Sequence, residues 1–252
     1  MKRFAGYVLP LGILLVWESV VRLGWINPFL LPAPSAFAAR WAAEVSNGFI
    51  MRDAGLTMMR ALAGFLIAAA AGIVLGTLAA RNAFARWLVD PVVSVGFPMP
   101  KISFMPIFML WFGLGDQAKL AMIVFTCIFP VVSATYLGTR SIDRYLLWSA
   151  QNLGTPPRRL LWQVVIPAAM PQILSGLQIA FPMALIVTVV TEMMTSGGGL
   201  GNYMIVSARA ALSEKVFAGI ATIAVLGYVL LRLFDSLRRR LLRWHAETTI
   251  AI

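Results

Sequence analysis

From Ala61 to Ala80, and again from Leu160 to Thr191, the chain carries no charged side chain. About 20 consecutive apolar residues suffice to carry a helix across the hydrocarbon core of a bilayer. Lipid offers no partner to a backbone N–H or C=O, so a segment placed there must close its own hydrogen bonds. Such runs therefore point to helices in a membrane. Composition agrees: the 252 residues are 60% hydrophobic and 12% charged, whereas a soluble domain is roughly half apolar and a quarter charged. The net charge of +11 does not indicate nucleic acid. No basic run is interleaved with aromatics in the way single-strand grooves require, and basic residues flanking the cytoplasmic ends of spans account for the excess.

Read along its length, the chain is an all-α integral membrane protein of one domain, residues 1–252. About six transmembrane helices are expected, near 5–24, 58–80, 87–112, 118–138, 172–192 and 215–235. Met1–Lys2–Arg3 before an apolar run resembles a signal peptide. The absence of a small-x-small cleavage site and the interfacial Trp25 favour an uncleaved first span. Glu18 and Arg22 stand four apart on its face and are expected to pair. Residues 27–53 form an exposed loop, in which Leu31–Pro34 turns the chain and Ser35 caps a short amphipathic helix through Val45. The third span is broken by Pro98, Pro100 and Pro106, since proline lacks a backbone donor and kinks helices. Leu160–Thr191 is too long for one span, so Pro167 and Pro171 are expected to divide it into a surface helix and a fifth span. The arginines orient the whole. Arg81, Arg86, Arg140, Arg144, Arg158, Arg159 and the basic tail share the side of Lys2 and Arg3, which places both termini in the cytoplasm.

Few chemistries survive this composition. Cys127 and His245 are the only cysteine and histidine. No disulfide can form within the chain, and no Cys/His metal site can assemble. A nucleophile with a matching base is missing, so the chain is not expected to be an enzyme. Ser196–Gly201, SGGGLG, has no Lys–Ser after it and is not a phosphate-cradling loop; it reads as a flexible turn. Any ATP energy must come from a partner. Lys101 in the broken span and Glu192 at the end of the fifth are the notable ionisable groups near the membrane, and charge there is a functional hypothesis by default. With Pro98 and Pro100 they are the candidate pathway residues. Lys101 either faces an anionic solute, snorkels to the interface, or pairs with Glu192.

The stretch from Ser149 to Pro171, SAQNLGTPPRRLLWQVVIPAAMP, lies between two apolar segments. It is expected to fold at the cytoplasmic surface as a helix over Arg144–Asn152, a left-handed glycine cap at Gly154, a turn at Pro156–Pro157, and a second helix over Arg158–Val165 stopped by Pro167. Short helices projecting from rigid spans suit docking into a partner's groove.

These residues carry a family resemblance. Ser149–Ala150, Gly154 and, after nine intervening residues, Val164-x-Ile166–Pro167 resemble the "EAA" loop of permease subunits of binding-protein-dependent ABC importers. NPFLLPAPSAFAARW (27–41), PMPKISFMPIFMLWFGLGDQAK (98–119), GTRSID (138–143) and GGLGNYMIVSA (198–208) look like the nitrate/sulfonate/taurine branch. The resemblance implies a type I ABC importer permease fold in the bacterial inner membrane, with a cytoplasmic coupling loop at 139–171. It also implies a second permease chain, two cytoplasmic ATPase subunits that bind ATP and Mg, and a periplasmic solute-binding protein. Coupling would run through the 143–167 loop, with Ser149, Ala150, Gly154, Arg158, Arg159, Val164, Ile166 and Pro167 as its residues. The solute implied is a small anion such as a sulfonate, nitrate or an organic acid. One departure stands out: Trp148 occupies a position usually acidic in the family, and Asp143, Arg144, Arg158 and Arg159 are the neighbouring charges. An ion-coupled secondary transporter is the alternative, supported by Lys101, Glu192 and the broken span.

Overall fold

The computed structural model describes the backbone of residues 2–244, with side chains from Leu9 onward. His245 lies outside the described residues, as do the side chains of Lys2 and Arg3. Every regular element among the described residues is helical. The helices are α1 (Lys2–Arg22), α2 (Pro34–Ser46), α3 (Phe49–Arg81), α4 (Ala83–Gly96), α5 (Met105–Phe112), α6 (Asp116–Arg140), α7 (Arg144–Asn152), α8 (Pro157–Leu160), α9 (Ile166–Met194), α10 (Leu200–Arg209) and α11 (Ser213–Leu241). By length and apolarity α3, α6, α8 run on into α9, and α11 can each cross a membrane, and α4 with α5 makes a bent fifth candidate. The remaining predicted span lies in α1, a 21-residue helix. The predicted second span is only the later part of α3, which begins in the expected loop at Phe49.

Two compact units divide the chain, residues 1–58 with 189–226, and residues 59–188 with 227–252. The second is organised around α6. Its Ala118, Met122, Ile123, Cys127 and Val131 are fully buried, and the steps of four from 118 to 122 and from 123 through 127 to 131 mark one helical face. Small residues let neighbouring helices come close without water to drive them together. A Cβ at Gly64 of α3 would stand 2.5 Å from Ile123, and one at Gly176 of α9 would stand 2.5 Å from the Ala134 methyl. In the first unit, Trp41 of α2 donates its indole N–H to Thr222 Oγ1 of α11 at 2.9 Å. Trp17, Phe37 and Phe217 gather with centroids 5.7 to 5.8 Å apart.

Local chemistry decides three details differently from expectation. Ser35 does not cap α2. Pro34 starts that helix, while Ser35 gives its N–H and hydroxyl to the Glu18 carboxylate at 3.0 and 2.7 Å. Glu18 also takes the Arg22 Nε–H at 2.6 Å, the expected pair. Pro106 breaks nothing, because it falls in the first turn of α5 where no intrahelical N–H is needed. Pro167 does not stop a helix either. Leu161–Val165 widens into a π turn, with the Ile166 N–H bonding Leu161 O. That extra residue accommodates the carbonyls that a proline ring would strike or leave unmet, and Pro157–Met194 continues as one span of 38 residues.

Candidate functional site

The surface platform is built by its end caps. Asp143 accepts the Tyr145 N–H at 2.8 Å and so starts α7. At the other end Gly154 takes φ +82°. Its N–H bonds Gln151 O at 2.9 Å, and the Thr155 N–H bonds Ala150 O at 3.1 Å. This pair of bonds is a Schellman motif, which closes orphan carbonyls at a helix end. Ser149 and Ala150 thus lie in the last turn of α7. Arg158 and Arg159 are exposed on α8, while Val164, Ile166 and Pro167 belong to the π turn and the first turn of α9. The four residues of α8 are the first turn of the continuous Pro157–Met194 helix of 38 residues, so no break separates the platform's second half from the membrane helix.

The platform shows large apolar side chains to solvent alongside its polar and charged ones. Leu153 is 87% exposed, and Tyr145, Trp148 and Trp162 are exposed as well. Trp148 stands edge-on to Tyr145 with centroids 5.6 Å apart. An aromatic and aliphatic surface beside two free-standing arginines suits a protein groove better than water. Asp143 is exposed although one of its oxygens caps α7, and Arg144, Arg158 and Arg159 are exposed as well.

The broken span contains Pro98 and Pro100. Residues preceding proline are pushed out of the helical region, and α4 and the 101–112 helix meet at 101° across the break. Lys101 begins the second arm. Its ammonium donates to Phe97 O at 2.8 Å and sits 5.1 Å from the Phe129 ring centroid. A cation at the carbonyl end of α4 matches that end's partial negative charge. Lys101 is therefore placed by the break itself, on carbonyls and an aromatic face.

Glu192 is fully buried. Its Oε2 accepts the Thr57 hydroxyl at 2.8 Å and the Gly201 N–H at 3.1 Å. Thr57 Oγ1 in turn accepts the Leu200 N–H at 2.8 Å, and Asp53 accepts the Gly199 N–H at 2.9 Å. These acceptors fill the donor-rich start of α10. Gly197, Gly198 and Gly199 all have positive φ, and a Cβ at Gly199 would stand 2.3 Å from the Glu192 carboxylate. The glycine-rich segment read as a flexible turn is thus a fixed one. Its rigidity was hidden because the acceptors sit at positions 53, 57 and 192.

One group of charges escaped the sequence reading. Arg60, just before the uncharged run, is buried and pairs with Asp116 at 2.8 Å. Lys119, in the first turn of α6, is fully buried and approaches the same carboxylate oxygen at 3.4 Å. Among the described residues no His/Cys/Asp/Glu group could hold a metal.

Residues 72–243 match the family described as "Binding-protein-dependent transport system inner membrane component". The chain is 32% identical over 247 residues to the putative aliphatic sulfonates transport permease protein SsuC of Bacillus subtilis, covering 96% of this chain and 89% of that one. It is 30% identical to the taurine transport system permease protein TauC of Escherichia coli, covering 93% and 87%. A chain of the inward-facing MetNI methionine ABC transporter aligns with TM-score 0.68 at 16% identity, over 79% of this chain and 98% of that one. A chain of an amino acid ABC transporter aligns with TM-score 0.60 over 80% and 96%. The fold is therefore the type I ABC importer permease fold. The chain belongs to the family of inner membrane components of binding-protein-dependent transport systems, and is a permease of the ABC importer class.

Proposed function

We propose that the chain forms half of the solute pathway of an ATP-driven importer, paired with a second copy of itself, with both termini in the cytoplasm. Two cytoplasmic ATPase subunits bind the α7–α8 platform, and a periplasmic protein delivers a small anion of the sulfonate or taurine class. The observation that carries the coupling is the unbroken passage from α8 through the π turn into α9. A displacement of the platform moves a spanning helix with it. ATP binding closes the ATPase pair and draws the platforms together. The spans open outward, take the solute, and return inward after hydrolysis, a two-state exchange biased by ligands.

The exposed Tyr145, Trp148 and Leu153 replace the missing acidic contact with apolar ones, and Arg158 and Arg159 flank them. On the membrane side, Lys101 with the Pro98–Pro100 break is the pathway candidate for an anion, while Glu192 anchors the start of α10. ATP and Mg belong to the partner subunits. The relatives' names support the solute class, and the platform geometry favours ATP coupling over an ion-driven carrier.

Mass spectrometry of what co-purifies with the tagged chain, in mild detergent from its native membrane, tests this reading. Recovery of a nucleotide-binding subunit is expected. Reproducible recovery without any ATPase, from material that still supports uptake, would replace the importer with the ion-coupled transporter.

A further inference from the structure

A cleft that the pathway and platform residues do not use is lined in part by charged side chains. It has a volume of about 550 Å³ and lies within the first unit, between the 28–29 turn, α2 and the start of α11. Its lining includes Phe29, Arg40, Leu212, Ser213, Glu214 and Lys215. Two of these are cations held by one acid: Glu44, buried behind them, accepts from Arg40 at 2.7 Å and from Lys215 at 3.4 Å through the same oxygen. Both side chains remain partly exposed, at 38% and 28%. The Arg40 Nε–H is buried and has no hydrogen-bond partner. A buried carboxylate that fixes two half-open cations preorganises them toward an oxyanion, since their rotamers are set before anything binds.

The depth of the cleft selects the source of that oxyanion. Ser213 and Lys215 open α11, a 29-residue helix apolar enough to cross the bilayer. The first residues of a span lie at the level of the lipid headgroups. Phe29 and Leu212 are exposed at the cleft, and the Ser213 hydroxyl donates to Phe29 O, tying the 28–29 turn to the helix start. An apolar rim at headgroup depth, over two clamped cations, matches a molecule with a phosphate and hydrocarbon together. Exposed Glu214 on the same lining adds an acceptor suited to a primary ammonium.

We propose that this cleft is a phospholipid headgroup site, in which Arg40 and Lys215 bind the phosphodiester and Glu214 takes the ammonium of an ethanolamine headgroup. The proposal needs only the membrane placement of α11 and does not depend on the importer reading.

Native mass spectrometry of the full chain, delipidated in detergent and titrated with phosphatidylethanolamine, tests it. Arg40→Gln and Lys215→Gln are each expected to raise the lipid concentration for half-occupancy by about tenfold, the loss of one charge-assisted hydrogen bond. Arg52→Gln, an exposed arginine of α3 outside the cleft, is expected to leave it unchanged. The conservative pair Arg40→Lys and Lys215→Arg should retain most of the affinity, which separates loss of the site from loss of fold. Equal occupancy in the wild type and both glutamine variants overturns the proposal. So does competition by water-soluble glycerophosphoethanolamine at the same concentration as the lipid, because the cleft would then bind a free phosphoester.

Discussion

Replacing Gly154 separates backbone strain from contact at the platform's corner. The residue holds φ +82°, and a Cβ built on it meets nothing within 4 Å. A side chain there therefore clashes with nothing in this chain, and the cost is conformational. For an L-residue other than Asn or Asp, the left-handed region costs roughly 1–2 kcal/mol. The Schellman bonds from Gly154 and Thr155 to Gln151 and Ala150 depend on that conformation. If the ATPase groove accepts only the closed corner, Gly154→Ala weakens ATPase-subunit binding by about 5- to 30-fold. Gly154→Asn, which tolerates the left-handed region, should lose markedly less. Gly154→Asp carries a smaller strain than alanine but adds a charge beside the exposed Leu153, so on the proposed docking it should reduce coupling as well. The assay is solute-stimulated ATP hydrolysis by reconstituted complexes, measured against the concentration of added ATPase subunit. The reasoning fails if the alanine variant matches the wild type in both affinity and stimulation, or if asparagine is as damaging as alanine.

Three further outcomes follow from the membrane side. Glu192→Gln keeps one acceptor oxygen but loses the charge that receives the Thr57 hydroxyl and Gly201 N–H. It should destabilise the chain by about 1–3 kcal/mol, seen as a lower midpoint of thermal unfolding in detergent. Gly201→Ala should be worse, because its Cβ would lie 2.1 Å from the backbone oxygen of Val189; loss of assembled complex on size-exclusion chromatography is the readout. Lys101→Ala should impair uptake of an anionic solute more than it impairs assembly, and unchanged uptake kinetics would remove Lys101 from the pathway.

How much of this was legible depended on the range of the interaction. Lipid demands long apolar helices, so α3, α6 and α11 announce themselves in uncharged runs. Local rules sufficed where partners are near in sequence: Glu18 meets Arg22 one turn away, and Gly154 caps the helix it follows. They failed where a partner is distant. Ser35 looked like a cap and instead serves Glu18 of the preceding helix. Arg60, next to the uncharged run, drew no reading at all and is buried against Asp116. The glycines at 197–199 looked loose because flexibility is a property of the isolated segment, whereas Asp53, Thr57 and Glu192 supply the acceptors that hold the folded one.

Pro167 failed for a subtler reason, and it matters most for function. Proline ends a helix only if the helix keeps its regular register, and five residues of π geometry upstream relax that condition. A stop at Pro167 would have left a hinge between platform and membrane, and a hinge dissipates a push. Continuity through the π turn makes the platform's second half and the span a single lever. On the proposed coupling, the feature that looked in the sequence like a boundary is where a displacement of the platform would pass into the spanning helix.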